Sequence, residues 1–146
     1  MAIRSQHFHL LISAILFISG TMKLKIFQHQ QLDNIVILTP LGDGTGFRYQ
    51  ELHVDVNAIR AEMAKPGNRH LILNLEHMEY FGSEFIGGLV SMLRETKNRG
   101  GLACFANATP QMMQVLKTMS LFKLWPHFNS QNEAIAAAKE KDAPPS

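Results

Sequence analysis

From Met22 onward the chain switches repeatedly between short apolar runs and stretches of helical periodicity. Leu24 to Gln31 and Ile35 to Thr39 predict two strands, and Asp33-Asn34 between them is a turn signal, so the pair reads as a hairpin. Pro40 and Gly42-Asp43-Gly44-Thr45-Gly46 then break the chain. Leu52, Val56, Ile59 and Met63 recur at spacings of four, three and four, which is one face of a helix, and Pro66-Gly67 stops it. Leu71 to Leu75 is a short run suited to a strand covered on both faces. Ser83 to Arg99 predicts the strongest helix, with Phe85, Ile86, Leu89, Val90 and Leu93 on one broad face and cations in its last turns. Gly100-Gly101 ends it and Leu102 to Ala106 predicts the next buried strand. Thr109-Pro110 is an N-cap with proline at the first helical position, leading into Met112, Leu116 and Met119. Leu124 to Phe128 predicts a last strand, bent or at an edge because of Pro126. Ser130-Gln131-Asn132-Glu133 is a capping box for a final helix through Lys139, followed by a frayed tail over 141–146.

The predicted order is β-β-α-β-α-β-α-β-α. A hairpin followed by alternating helices and strands implies an α/β domain with a mixed, mostly parallel sheet of about five strands, about four helices and right-handed crossovers. The length of 146 residues fits one such domain. With 46% hydrophobic and 18% charged residues, general disorder is excluded. Fourteen basic against twelve acidic side chains leave +2, which gives no electrostatic reason to expect nucleic acid as a partner. A single cysteine excludes an internal disulfide.

Residues 1–21 differ from the rest. They carry one charged side chain, Arg4, and an apolar run from Phe8 to Ile18 that is shorter than the about 20 residues of a membrane span. Three readings fit this extension. It is a translated stretch ahead of a natural start at Met22, a signal peptide, or a membrane anchor over residues 8–18. We favour the first, because a complete domain pattern over 22–140 begins directly after Met22. A cytoplasmic domain then follows, and the other two readings make it exported or membrane-anchored.

Candidate chemistry is sparse. His7, His9, His29, His53, His70, His77 and His127 show no metal-ligand spacing within the domain, and the expectation is surface or half-buried side chains without metal. Cys104, mid-strand between Ala103 and Phe105, reads as a buried inert thiol. The Gly42–Gly46 loop lacks the lysine of a phosphate loop and the last glycine of a dinucleotide fingerprint. It reads as a mobile loop and a possible ligand contact. Glu76, Glu79 and Glu84 could do acid–base work if they faced one cleft, but the sequence offers no nucleophile or oxyanion site beside them. No catalytic residue and no cofactor is expected.

The informative stretch is the junction after the central strand. Ser83 suits an N-cap and Glu84 the first turn, where a carboxylate meets unpaired N–H groups and the positive end of the helix dipole. Gly87 and Gly88 follow, each weakening a helix by roughly 1 kcal/mol relative to Ala, which suggests close backbone approach by another element or a partner. The chain here resembles the STAS domains of bacterial anti-sigma-factor antagonists. In these an apolar strand ends in Asp-Leu-Ser, an apolar–aromatic stretch follows, and Asp-Ser-Ser/Thr-Gly opens a helix. The corresponding residues are Leu71-Ile72-Leu73-Asn74-Leu75-Glu76, then Met78-Glu79-Tyr80-Phe81, then Gly82-Ser83-Glu84-Phe85. The likeness continues through Arg99-Gly100-Gly101, Phe105-Ala106-Asn107, Thr109-Pro110, Val115-Leu116, Leu121-Phe122-Lys123-Leu124, Phe128 and Glu133-Ala134-Ile135, over about residues 24–140.

The resemblance implies a docking domain that binds a serine-kinase anti-sigma factor and so frees the sigma factor. It also implies a switch, because the kinase phosphorylates the second hydroxyl residue of the motif and weakens docking. A phosphate would add nearly two negative charges within the contact surface. The position of that hydroxyl is Glu84 here, with Gly82 and Phe85 replacing the flanking Asp and Gly. A serine kinase cannot modify Glu84, so the expectation is a fixed single negative charge and no usual switch, with Ser83 as an alternative acceptor. The expected contact surface comprises Glu76, Met78, Glu79, Tyr80, Gly82, Ser83, Glu84, Phe85, Gly87 and Gly88. The alternative reading is a small-ligand STAS module of transport or lipid handling, with a pocket at Gly42–Gly46 or at the helix start.

Overall fold

The computed structural model describes residues 22–42, 46 and 48–144. The extension 1–21, the loop residues Asp43, Gly44, Thr45 and Phe47, and the last two residues of the tail lie outside the described residues.

Five strands form one sheet in the order β1-β2-β3-β4-β5. They are β1 (Phe27–Leu32), β2 (Ile35–Pro40), β3 (His70–Asn74), β4 (Ala103–Ala106) and β5 (His127–Phe128). The β1–β2 pair is antiparallel and every later pair is parallel. Asp33 adopts φ 53° in the hairpin turn, a left-handed conformation that Asp tolerates better than most residues. Four helices alternate with the parallel strands: α1 (Tyr49–Met63), α2 (Ser83–Asn98), α3 (Pro110–Thr118) and α4 (Gln131–Asp142). Because β2 to β5 advance in one direction across the sheet, right-handed crossovers place α1, α2 and α3 on the same face.

The period-two alternation of the strands divides the core between two faces. Val36, Leu38, Leu71, Leu73, Leu75 and Phe105 cluster with Leu52, Ile59, Leu89, Met92 and Leu116 from the three helices. Ile35, Ile37, Ile72, Cys104 and Ala106 turn the other way, onto Ala134 and Ala138 of α4. The central strands are therefore covered on both sides, which is why β3 reads as a continuous apolar run. Gly101 is forced by a close approach: a Cβ there would lie 1.6 Å from the Arg69 carbonyl oxygen.

Several elements depart from the sequence pattern. β1 starts at Phe27, not Leu24: before it the Ile26 carbonyl still accepts the Leu41 N–H at 2.7 Å, but the N–H groups turn to a side chain. Asp55, buried in α1, accepts the N–H groups of Lys25 (3.1 Å) and Ile26 (2.7 Å). β5 is only two residues long, and the predicted strand start at Leu124 is preceded by a 3-10 turn over Leu121–Lys123 that sends Trp125 into the core. α4 continues through Asp142, where a frayed tail was expected. The Asp142 carboxylate accepts from Asn34 Nδ2 and from His70 Nε2, both at 2.9 Å, and pairs with Arg69 at 3.2 Å.

Two histidines are buried outright, against the expectation of surface or half-buried rings. His29 accepts the Met22 N–H on Nδ1 and faces Gln31 through Nε2. His70 accepts the Leu102 N–H on Nδ1 at 2.8 Å and meets Asp142 through Nε2, which assigns its proton to Nε2. Cys104 is buried as expected, and burial pushes its thiol up to about 12.

Candidate functional site

The loop from β3 to α2 is built as an alternation of anchors and projections. Asn74 starts it: its side-chain oxygen accepts the Glu76 N–H at 3.1 Å while its amide donates to Gln131 of α4 at 2.7 Å. Met78 is fully buried, and its carbonyl accepts from the Thr109 hydroxyl at 2.8 Å. The same hydroxyl accepts the Met112 N–H as the N-cap of α3. Phe81 and Phe85 are buried and stacked on each other at 5.8 Å, and Phe85 stacks in turn on Phe27 at 5.7 Å. Between these anchors Glu76, His77, Glu79 and Tyr80 are left exposed. Met78 and Phe85, both among the residues selected from sequence for partner contact, lie beneath the surface and position it instead.

The N-cap of α2 is Gly82, not Ser83. Gly82 takes an extended conformation at φ −77° and ψ 171° and accepts the Ile86 N–H through its carbonyl, a role glycine fills nearly as well as serine. Ser83 is thereby the first helical residue, exposed, with a hydroxyl that caps nothing. Glu84 follows in the first turn, also exposed. On the next turn the two glycines separate. Gly88 is where α2 meets α1, since a Cβ there would touch Val56 Cγ2 at 3.0 Å, whereas Gly87 is exposed with nothing within 4 Å of such an atom.

A pocket of about 260 Å³ opens at this junction, lined by Gly46, Tyr49, Leu52, Tyr80, Gly82, Ser83, Glu84 and Phe85. It joins the two places named from sequence as possible ligand contacts, and of the two described glycines of the glycine-rich loop, Gly42 and Gly46, it is Gly46 that lines it. Glu84 is the one carboxylate among its described lining residues, so Glu76, Glu79 and Glu84 do not converge in it. Tyr49 was not singled out from sequence. It extends the Leu52–Val56–Ile59–Met63 face of α1 by one more step of three, past the end of the core, and that signal was available. Tyr49 and Tyr80 are 58% and 56% exposed, and with Leu41 at 56% they are among the most exposed large apolar groups described.

No group of three or more His, Cys, Asp or Glu side chains among the described residues could hold a metal ion. No helix among them is long and apolar enough to cross a membrane.

The STAS-domain profile matches residues 27–134, and the chain belongs to the STAS-domain family. A comparison with curated protein sequences found no match. Among solved structures the chain is similar to a putative anti-sigma factor antagonist from Thermotoga maritima, at 20% identity and TM-score 0.68, covering 77% of this chain and 94% of that one. It is similar also to the anti-sigma factor antagonist SpoIIAA in its unphosphorylated form, at 17% identity and TM-score 0.65, covering 78% and 96%. A third likeness is to a sulfate transporter family protein from Wolinella succinogenes, at 12% identity and TM-score 0.62, covering 75% and 88%. These likenesses establish the fold: one α/β domain whose five-stranded sheet is antiparallel at one edge and parallel elsewhere.

Proposed function

We propose that this domain works in the cytoplasm by docking to a signalling protein of the serine-kinase anti-sigma type, without a phosphorylation switch at the usual position. The observation that carries the reading is the anchored β3–α2 loop. Its buried residues fix the backbone, and its outward residues Glu76, Glu79 and Tyr80 continue into Ser83, Glu84 and Gly87 as one exposed surface. A surface held rigid before contact loses little entropy on binding. Glu84 supplies one permanent negative charge where a phosphate would supply nearly two, so the domain stays in one state. Ser83, exposed and free of capping duty, is the alternative acceptor.

The test is a pull-down from the native cell with residues 22–146. Recovery of a histidine-kinase-like ATPase, weakened by Glu84→Lys, supports the reading. Retention of no such partner by the wild type or by Glu84→Ser ends it.

One observation favours the second reading, a small-ligand STAS module: the pocket lies where that reading requires it. Its volume of about 260 Å³ is below the range of about 300–1,000 Å³ typical of small-molecule sites, which is why docking is preferred.

A further inference from the structure

Both tyrosines of the chain line the same pocket, although they come from different elements. Tyr49 is the first residue of α1 and Tyr80 belongs to the β3–α2 loop. Each leaves more than half of its surface in solvent. Leu52 and Phe85, both buried, add apolar surface to the same pocket. Among the described residues that line it the one charged side chain is Glu84, which makes no ion pair or hydrogen bond with any of them, and none of them is a cation. The Ser83 hydroxyl, beside it, is equally free.

We infer that this pocket receives one arginine side chain of the protein partner, with its guanidinium paired to Glu84 and packed against Tyr49 and Tyr80. The inference rests on the docking reading above and names what the partner inserts. Charge complementarity selects a cation, because an anion would meet Glu84 at close range. Geometry selects arginine over lysine. The planar guanidinium stacks on aromatic faces and donates in a fork to a carboxylate, whereas the ammonium of lysine is a compact, strongly hydrated charge. Leu52 and Phe85 offer apolar surface to the three-carbon stem. Arginine, tyrosine and tryptophan are also the residues that concentrate binding energy at protein interfaces.

Two experiments test this on the full chain. In the first, N-acetyl-arginine amide is titrated and followed by NMR at the backbone amides of Gly46, Gly82, Ser83 and Glu84 and at the tyrosine rings. The expected result is saturable shifts confined to these groups, weaker with the lysine analogue and absent with the uncharged citrulline analogue. Glu84→Gln lowers the affinity at least ~5-fold, as loss of a charge-assisted contact requires. Equal shifts with citrulline, no saturable shifts, or shifts produced by inorganic phosphate and not by arginine would each overturn the inference. In the second, the partner recovered by pull-down is titrated against Tyr49→Ser, Tyr80→Ser and Glu84→Gln. Each variant should bind more weakly than the wild type. A partner bound equally well by all of them sinks the arginine pocket and leaves the docking reading standing; failure of the wild type to retain any kinase-type partner sinks the docking reading itself.

Discussion

Asp55→Ala tests how the edge of the sheet is held. The Asp55 carboxylate, 2% exposed, takes two backbone N–H groups from the segment that leads into β1. The Ile26 N–H is buried and has the shorter bond, at 2.7 Å. Stripped of its acceptor it is left unpaired, at a loss of about 1.5–3 kcal/mol. Lys25 is exposed, so water can replace the lost oxygen at its N–H and the loss there is about 0.5–1 kcal/mol. The expected total is about 2–4 kcal/mol, a large share of the about 5–15 kcal/mol that stabilises a domain of this kind. Urea unfolding measures it directly, with Trp125, the only tryptophan and buried, as the fluorescent probe. At a slope of about 2 kcal/mol per molar, the midpoint should fall by about 1–2 M with the slope unchanged. Asp55→Asn keeps one acceptor oxygen but turns an amide N–H toward the other donor, so it should recover part of the loss and not all of it. A loss below about 0.5 kcal/mol for Asp55→Ala would show that the lead-in segment is held by something else.

The remaining predictions concern backbone space, pH and the thiol. Gly101→Ala drives a Cβ into the Arg69 carbonyl and should destabilise by about 3 kcal/mol or more, whereas Gly87→Ala enters open space and should stabilise by about 0.5–1 kcal/mol; urea midpoints read both. Burial holds the pKa of His29 and of His127 below the usual 6.5, so the unfolded chain takes up protons first and stability should fall as pH drops below 6.5, levelling off beneath the folded values. Asp142 is held below its ordinary 3.8 by bonds from Asn34 and His70, with Arg69 adding to the effect, so a further loss should follow only as pH falls from 3.8 through that lowered value. Urea midpoints taken from about pH 8 down to about pH 3 should therefore decline in two stages, and a flat profile between about pH 7 and about pH 5 would contradict the histidine assignments. Cys104 should resist thiol reagents at about pH 8 until the protein unfolds, and rapid labelling of the native chain would show that α4 does not cover it.

Most of the architecture was legible because its signals are local. The β3 run, the Thr109-Pro110 helix start and the Ser130–Glu133 capping box depend on residues a few positions apart, and the structure keeps each of them. What was not legible depends on partners far away in sequence. His70 is buried because Asp142 and the Leu102 N–H meet its two ring nitrogens, contacts 72 and 32 residues distant. The N–H groups of Lys25 and Ile26 turn to Asp55, about thirty residues on. Ser83 was misassigned for a local reason: serine is a good N-cap, but Gly82 before it already supplies the extended conformation the cap needs. At the candidate site, the loop was legible as a region. Phe85 was legible as core from its place on the apolar face of α2, although it also counted as a partner contact; Met78 was not, because an apolar loop residue reads the same whether it anchors the loop or faces a partner.

The central claim is that Glu84 leaves a docking surface without its switch. Isothermal titration of the full chain against the proposed serine-kinase anti-sigma partner, before and after incubation of the two with ATP, tests it most directly. The account predicts the same affinity both times, with no phosphate on the chain by mass spectrometry, and ATP-dependent weakening only for Glu84→Ser. Loss of wild-type binding after ATP, with stoichiometric phosphate on Ser83, would contradict it.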